Sequence, residues 1–487
     1  MLLKSFRKMT KKKPVIQVAA ALIIIVSVFF LFSTFRQTYV GACDWYAYYS
    51  QSLLLRSGQL YMPTRLDPEI FPSVAPLGYY ERNGRVVPHF PPGYPLLMAL
   101  FGLVGLEFYV TPVIGTLSFI LMFLILSRLV NRHIALMFSL LWVLSPIVVW
   151  GSTEVMSDLV ACCFILLAYY FFMKEKIALS GLVFGFSLLV RPSNILFMLV
   201  LLPLVIKQKK LFKFGVYFSI VTAVSAVYNW LMHGAPWKYG YYDTASLLSG
   251  SVFFRNFLYY SKEIVVQFTP FLLLLALIPL WKRKKQAYVY GAWFFSFFIF
   301  YCFIILGNNV WWGIRFLLPA YPALFILSAL GLKEILEYAA EKWESKKAKA
   351  YIKPAVIVIT ILLLSYFVHF ESKTLLFYKD KWIEFRDISR KAAENIPPGS
   401  VVGASVMSGP LRLYGNVESF NLKHIKSSRL IGRMLKRKRP VYLIMEPEFK
   451  GSPDFERKLA KFDYEKIVKL SEQKDYYLLR IKGKRRR

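Results

Sequence analysis

Several apolar runs in this chain are long enough to cross a bilayer, and they constrain the fold more than any other feature. Residues 15–35 carry no charge until Arg36 follows them. A helix needs roughly 20 apolar residues to span the hydrocarbon core. Helices are the expected form because each satisfies its own backbone hydrogen bonds in lipid. Apolar residues make up 56% of the 487 and charged residues only 18%, more apolar surface than a soluble chain of this length can hide.

The net charge of +34 raises the question of nucleic acid, and its distribution answers it. The cations fall in short clusters between apolar runs: Lys11, Lys12 and Lys13, then Lys174 and Lys176, then Lys207, Lys209 and Lys210, then residues 282–285. Such clusters mark cytoplasmic loops under the positive-inside rule. No basic stripe interleaved with aromatics appears outside the tail, so no nucleic-acid partner is expected. Cys43, Cys162, Cys163 and Cys302 show neither metal-ligand spacing nor a disulfide framework. Residues 40–43 look superficially like a lipoprotein cleavage box, but Arg36 separates them from the apolar run, which reads as a retained anchor.

Six basic residues and no acid precede Pro14, so the chain starts inside. Spans are expected over 15–35, 111–130, 134–150, 158–173, 178–190, 195–206, 212–232, 264–281, 287–306, 316–332 and 354–370. The fold class is thus an all-α polytopic membrane protein with about eleven spans and a small C-terminal α/β extracytoplasmic domain. The boundaries are residues 1–370 for the membrane module, with 36–106 as its first outer loop, and 371–487 for the soluble domain. In that domain a helix is expected over 385–394 and strands over 401–406, 441–445 and 476–481. Its 28 basic and 14 acidic residues do not bar translocation, because long domains cross largely regardless of charge. The final run, 484–487, is expected to be a solvated tail.

Ten carboxylates precede Leu332, and under this topology only Glu175 faces the cytoplasm. Polar chemistry is therefore concentrated at the outer membrane surface. Asp44 stands just past the first span among Trp45, Tyr46, Tyr48 and Tyr49, where it could take a proton from a hydroxyl or cap the helix over 45–56. Glu154 and Asp158 lie four apart, on one face if helical. They are candidates to bind acceptor, position Asp44 or hold a divalent metal, against a plain capping role. No cofactor is firmly implied. His89 sits in a proline-dense stretch, 87–95, which fixes it where the chain re-enters the interface. It could donate to a phosphate oxygen or be an ordinary interfacial histidine. Arg191 and Arg315 offer forked donors suited to phosphate, with interfacial snorkelling as the alternative.

Pro91-Pro92-Gly93-Tyr94-Pro95-Leu96-Leu97-Met98-Ala99 and Gly313-Ile314-Arg315-Phe316-Leu317-Leu318-Pro319-Ala320-Tyr321-Pro322, with an acidic residue after the first span, resemble the GT-C superfamily of membrane glycosyltransferases. The closest branch looks like the protein O-mannosyltransferase and lipid A aminoarabinose transferase group, and the likeness covers roughly residues 1–332. The chain departs from the mannosyltransferases in having Cys43-Asp44 in place of an Asp-Glu pair, which bears on the acceptor class. It has Arg191 where relatives often carry Lys.

The resemblance implies an inverting glycosyltransferase that moves a hexosyl or pentosyl unit from a polyprenyl-phosphate donor to a hydroxyl on a lipid, glycan or protein acceptor. It implies that Asp44 deprotonates the acceptor while His89, Arg191 and Arg315 neutralise the departing lipid phosphate. The enzyme would be a multi-pass protein of the plasma (inner) membrane, with its site on the non-cytoplasmic face. Three other readings compete, one of them a non-catalytic scaffold that keeps the fold. A transporter or lipid flippase would show internal repeats and midplane polar residues, and the sequence shows neither. An en bloc ligase using a lipid-diphosphate donor would favour a large outer loop late in the chain, and here the large loop comes first.

Overall fold

The computed structural model describes residues 14–41, 43–62, 75–240, 247–305, 311–342, 354, 358–369, 381–423, 427–449 and 452–485. The expected span 354–370 lies partly outside them, as does the tail after 485.

Each expected apolar segment falls on helical structure where it is described. By length and composition, four helices can cross a membrane: Val18–Phe35, Glu107–Leu126, Leu211–His233 and Gly313–Ala339. Two bent pairs raise this to six, and five further apolar helices are 10–17 residues long. The chain is an integral membrane protein, and length alone accounts for fewer crossings than the eleven expected segments.

Burial sorts these helices into a centre and a rim. Gly313–Ala339 is 94% buried within the protein, whereas Val18–Phe35 and Leu211–His233 are each 17% buried. The outer two present Leu22, Ile23, Phe30, Phe212 and Val224 outward, surface that only lipid can cover favourably. The helix that carries Arg315 at its start is therefore the axis of the bundle.

Two expected spans are broken, each for a local reason. Residues 264–281 bend by 104° between Phe253–Phe268 and Pro270–Trp281. Thr269 takes φ 70° there, and Pro270, which lacks an N–H, starts the second helix. Residues 134–150 divide at Ser145 into Arg132–Val143 and Pro146–Thr153, with a bend of 59°.

Between the first span and the bundle, β1 (Tyr79–Arg82) and β2 (Arg85–Pro88) form an antiparallel hairpin. The short helix Gly93–Gly102 follows it. The C-terminal domain is a five-stranded mixed sheet. Its strands are β3 (Val401–Ala404), β4 (Glu418–Asn421), β5 (Val441–Met445), β6 (Phe462–Lys469) and β7 (Tyr477–Lys484), ordered β4-β3-β5-β7-β6. β3 runs parallel to β4 and β5, and β7 runs antiparallel to β5 and β6.

Because side chains alternate along a strand, the sheet has two distinct cores. Val402, Ala404, Tyr442, Ile444 and Leu478 pack with Trp382, Phe385, Met407 and Leu411. Tyr39, Cys43 and Trp45, from the segment after the first span, border this core. Val401, Leu443, Leu479 and Ile481 face the other way, against Leu430, Ile431, Met434 and Phe455. One face of the sheet is therefore seated on the membrane module, and the opposite face is turned away from it.

Candidate active site

Asp44 is the first residue of helix Asp44–Arg56 and not its cap. The preceding residue, Cys43, turns the chain with φ 48° and makes no side-chain capping bond. A non-glycine residue in that region is strained and needs surrounding structure to hold it. Here the support is the C-terminal domain. The Trp45 and Trp382 rings lie 4.7 Å apart, and the Val40 amide donates to the Tyr414 hydroxyl at 2.8 Å. The Leu77 amide donates to Ser408 Oγ at 3.0 Å. Gly41 and Gly409 allow this approach, since a Cβ on either would overlap the ring of Trp382 or Tyr46 respectively.

The Asp44 carboxylate meets Arg315. One guanidinium nitrogen lies 3.0 Å from Asp44 Oδ2, with the arginine side chain 7% and the aspartate 22% exposed. The Cys43 thiol also hydrogen-bonds Asp44, and burial pushes that thiol well above its usual range. Arg315 lies in the 3-10 segment Trp311–Ala320, which leads into the central helix Tyr321–Lys342. Its guanidinium carbon sits 5.0 Å from the Phe316 ring centroid and 5.7 Å from that of Trp150.

Arg191 arrives at the same ring from another direction. It occupies the extended break (φ −151°) between helix Ile177–Val190 and the 3-10 turn Pro192–Phe197, and proline at 192 disfavours helix there. Its guanidinium carbon lies 5.4 Å from the Phe316 centroid. Both arginines therefore flank one phenylalanine, each in cation–π range.

The two remaining carboxylates are not a matched pair on one helical face. Helix Pro146–Thr153 ends at Glu154, whose backbone is extended (φ −94°, ψ 152°), and a new helix starts at Asp158 behind its cap Ser157. That interruption sends the side chains to different partners. Glu154 accepts from Trp45 Nε1 at 2.5 Å and from Gln37 Nε2 at 3.5 Å. Asp158 is fully buried and ion-paired with Arg191. Neither is the N-cap of helix Asp158–Met173, a position taken by Ser157, although Glu154 stands at the C-cap of the helix before it. Among the described residues, no three His, Cys, Asp or Glu side chains gather to hold a metal ion. The Glu154 and Asp158 environments do not fit one.

His89 follows β2 and lies close enough to Asp44 to feel its charge. Burial lowers it to about 4, against a bond to the Tyr79 backbone and the Asp44 charge, which both act to raise it. A neutral imidazole has one N–H. A backbone bond that favours the charged ring is one in which the ring donates, so the Tyr79 carbonyl takes that hydrogen. The other ring nitrogen is then an acceptor, and a phosphate contact from it requires a further proton.

Asp44, Arg315, Arg191 and His89 are thus drawn into one neighbourhood at the start of the Asp44 helix. Sequence reasoning missed Phe316, Trp45, Gln37 and Trp382. Phe316 stands next to Arg315, and Trp45 next to Asp44, so adjacency was an available signal for both. Nothing local marked Gln37 or Trp382.

The fold has solved relatives. ArnT from Cupriavidus metallidurans in the apo state superposes with a TM-score of 0.59 at 13% identity, covering 95% of this chain and 98% of that one. The same protein bound to undecaprenyl phosphate gives 0.58 at 14%, covering 96% and 98%. The Archaeoglobus fulgidus oligosaccharyltransferase in its apo form gives 0.58 at 12%, covering 94% of this chain and 74% of that one. At such identities the shared property is the fold, and the GT-C resemblance holds at that level. A curated relative, GPI mannosyltransferase 1 of Saccharomyces cerevisiae, is 31% identical over 64 residues, which is 13% of this chain and 16% of that protein. The match therefore spans about a sixth of that relative. The family model described as the EpsG family matches residues 20–382, well over half of the chain. This chain belongs to the EpsG family.

Proposed function

We propose that this protein is an inverting membrane glycosyltransferase that takes a monosaccharide from a polyprenyl-phosphate donor and places it on an acceptor hydroxyl. The observation that carries the reading is the Asp44–Arg315 pair with Arg191 across Phe316. One potential base and two fixed forked cations in a largely buried setting are the groups this reaction requires.

In the proposed step Asp44 accepts the acceptor's proton as its oxygen attacks the anomeric carbon. The bond from that carbon to the phosphate oxygen breaks, and the configuration inverts. Charge builds on the departing lipid phosphate, where guanidinium donors held in place lower the barrier most. A guanidinium has five N–H donors, so an ion pair with a carboxylate does not exhaust it. His89, neutral near pH 7, would orient Asp44 or the acceptor unless protonated. Glu154 would set Trp45, and through it the turn that carries Asp44.

The undecaprenyl phosphate bound in the ArnT structure supports the donor class. The apolar helices around the site suit a prenyl chain. We place residues 1–370 as the catalytic module and 371–487 as an extracytoplasmic domain of an inner-membrane protein. The proposal takes in transfer of a hexosyl or pentosyl unit to a lipid, glycan or protein acceptor. The test is transfer from labelled polyprenyl-phosphate sugar in membranes that contain wild type or Asp44→Asn. Loss of transfer with donor binding retained is expected, and unchanged turnover removes Asp44 as the base.

A further inference from the structure

The face of the sheet turned away from the membrane module carries a feature that glycosyl transfer at Asp44 does not use. Helix Ser427–Lys436 buries Leu430, Ile431 and Met434 against the sheet. It leaves Arg429, Arg433 and Lys436 lining an open groove of about 790 Å³. Lys461, before β6, and Lys484 and Arg485, at the end of β7, line the same groove. Gly432 makes room for the opposing lysine, since a Cβ there would lie 3.2 Å from Lys484 Cε.

Six cations converge here with little compensation. Arg485 has Asp463 at 3.9 Å. No other ion pair from the described residues reaches Arg429, Arg433, Lys436, Lys461 or Lys484. Gathered like charge destabilises a compact state through self-repulsion, and an anionic ligand relieves it. Arg429 and Arg433 are one helical turn apart, with Cβ atoms roughly 5–6 Å from each other. Their planar forks match carboxylate and phosphate. The volume lies in the ligand-pocket range of roughly 300–1,000 Å³.

We propose that this groove binds an acidic polysaccharide, with carboxylates or phosphates on successive sugars, and so tethers the acceptor glycan. The inference rests on the reading of the protein as a glycosyltransferase with its sheet domain on the outer face. An open groove with several spaced cations suits a polymer better than a single small anion. Its place in the sheet argues against a membrane surface as the occupant. Phe462 pairs with Lys484 at the end of the sheet where Ile481 meets Val441, the first residue of β5. The opposite strand ends meet the membrane module, where the Asn421 amide donates to the Ala75 carbonyl and Ser408 bonds Leu77. A tethered chain would raise the effective concentration of its end at the site without any new contact to the reacting atoms.

The experiment is binding by the full-length protein in zwitterionic-lipid nanodiscs, read without turnover. The probes are fluorescent oligogalacturonate, inorganic polyphosphate, neutral dextran of matched length, and vesicles containing phosphatidylglycerol. Oligogalacturonate is expected to bind, dextran not, and added salt to weaken the complex as the charges are screened. Polyphosphate binding alongside it marks a general polyanion groove, and its absence marks a preference for carboxylates; both support the proposal. R429E/R433E on the helix and K484E on the strand should each lower affinity at least about tenfold, roughly 1.4 kcal/mol or more. Arg390→Glu, on an exposed position of another helix, should leave it unchanged. Wild-type binding no tighter than dextran overturns the proposal, as does retention of affinity in both groove variants or preference for phosphatidylglycerol vesicles over oligogalacturonate. Should one groove variant misfold, the other, read against Arg390→Glu, still decides. A protein that binds the polyanion but transfers no sugar refutes the enzymatic reading alone, and an active protein that ignores the polyanion refutes the groove alone.

Discussion

Arg315 and Asp44 are separated by 271 positions in sequence and by 3.0 Å in space. The pair ties the first turn of the helix after the opening span to the start of the most buried helix of the bundle. With one partner on the bundle axis and the other braced by the sheet domain, the carboxylate has little freedom to wander. A reaction that depends on a near-attack geometry benefits from such restraint.

Replacing Asp44 by Asn preserves size and removes the base. We expect kcat to fall by roughly 10²–10⁴, the usual worth of a positioned general base, with a much smaller change in donor KM. Arg315→Lys keeps the charge but loses the fork. It should retain more transfer than Arg315→Gln while remaining well below wild type. Steady-state kinetics with labelled donor measures both.

The buried Arg191–Asp158 pair should behave asymmetrically. Asp158→Leu alone removes the carboxylate partner of a buried guanidinium and should destabilise the protein by roughly 3–5 kcal/mol. The double variant Arg191→Met/Asp158→Leu should recover most of that loss in thermal unfolding yet stay deficient in transfer. A double variant no more stable than the single would show that the two side chains are not energetically coupled.

Gly409 is the point where the sheet domain touches Tyr46. Gly409→Val forces the two apart, and overpacking of this kind costs typically about 1–3 kcal/mol. Transfer should drop even though residue 409 touches no reacting atom. Gly399, with open space around it, serves as a comparison: its φ of +78° makes Gly399→Ala mildly destabilising, and activity at permissive temperature should persist.

Glu446 is fully buried at the end of β5 and accepts the backbone N–H groups of Ser405, Val406 and Met407. Burial, reinforced by Glu448, pushes its carboxyl up from 4.5 to about 8 despite those three donors. Between these two values the folded protein holds a proton that the unfolded chain has released. Its stabilising contribution is complete below the unfolded value and is lost as pH rises toward 8. Melting temperature should therefore decline over that window in wild type, and Glu446→Gln, which cannot ionise, should flatten the slope. Glu446→Ala leaves three amides unpaired and should cost at least roughly 1–3 kcal/mol at any pH.

His89, lowered to about 4, is neutral from pH 5 to 8. The pH–rate profile of wild type should show no limb from it in that interval, and His89→Gln should leave the shape of the profile intact. A limb near pH 6.5 that vanishes in this variant would contradict its buried, neutral state.

The membrane helices were readable because apolar length is a one-dimensional signal, and helix Asp158–Met173 matches its expected bounds residue for residue. β3, β5 and β7 were readable from compact β-branched and aliphatic runs. β4 and β6 were not. β4 is four residues, Glu-Ser-Phe-Asn, without an apolar run. β6 is an edge strand with four charged positions in eight, the composition that keeps an edge from pairing with other chains. At the site, residue types and their shared membrane face could be argued from topology. The pairing of Arg191 with Asp158, and of Glu154 with Trp45, could not, because it depends on where Thr153 ends one helix and Asp158 starts the next.

Trp382 and Gly409 press on the turn and helix that present Asp44, so the carboxylate is braced by residues far downstream of it in the chain. A ribosome delivers the carboxylate before both arginines, and the segment that steadies its turn after them. The surroundings of Asp44 described above are therefore complete only when the C-terminal sheet is docked on the membrane module.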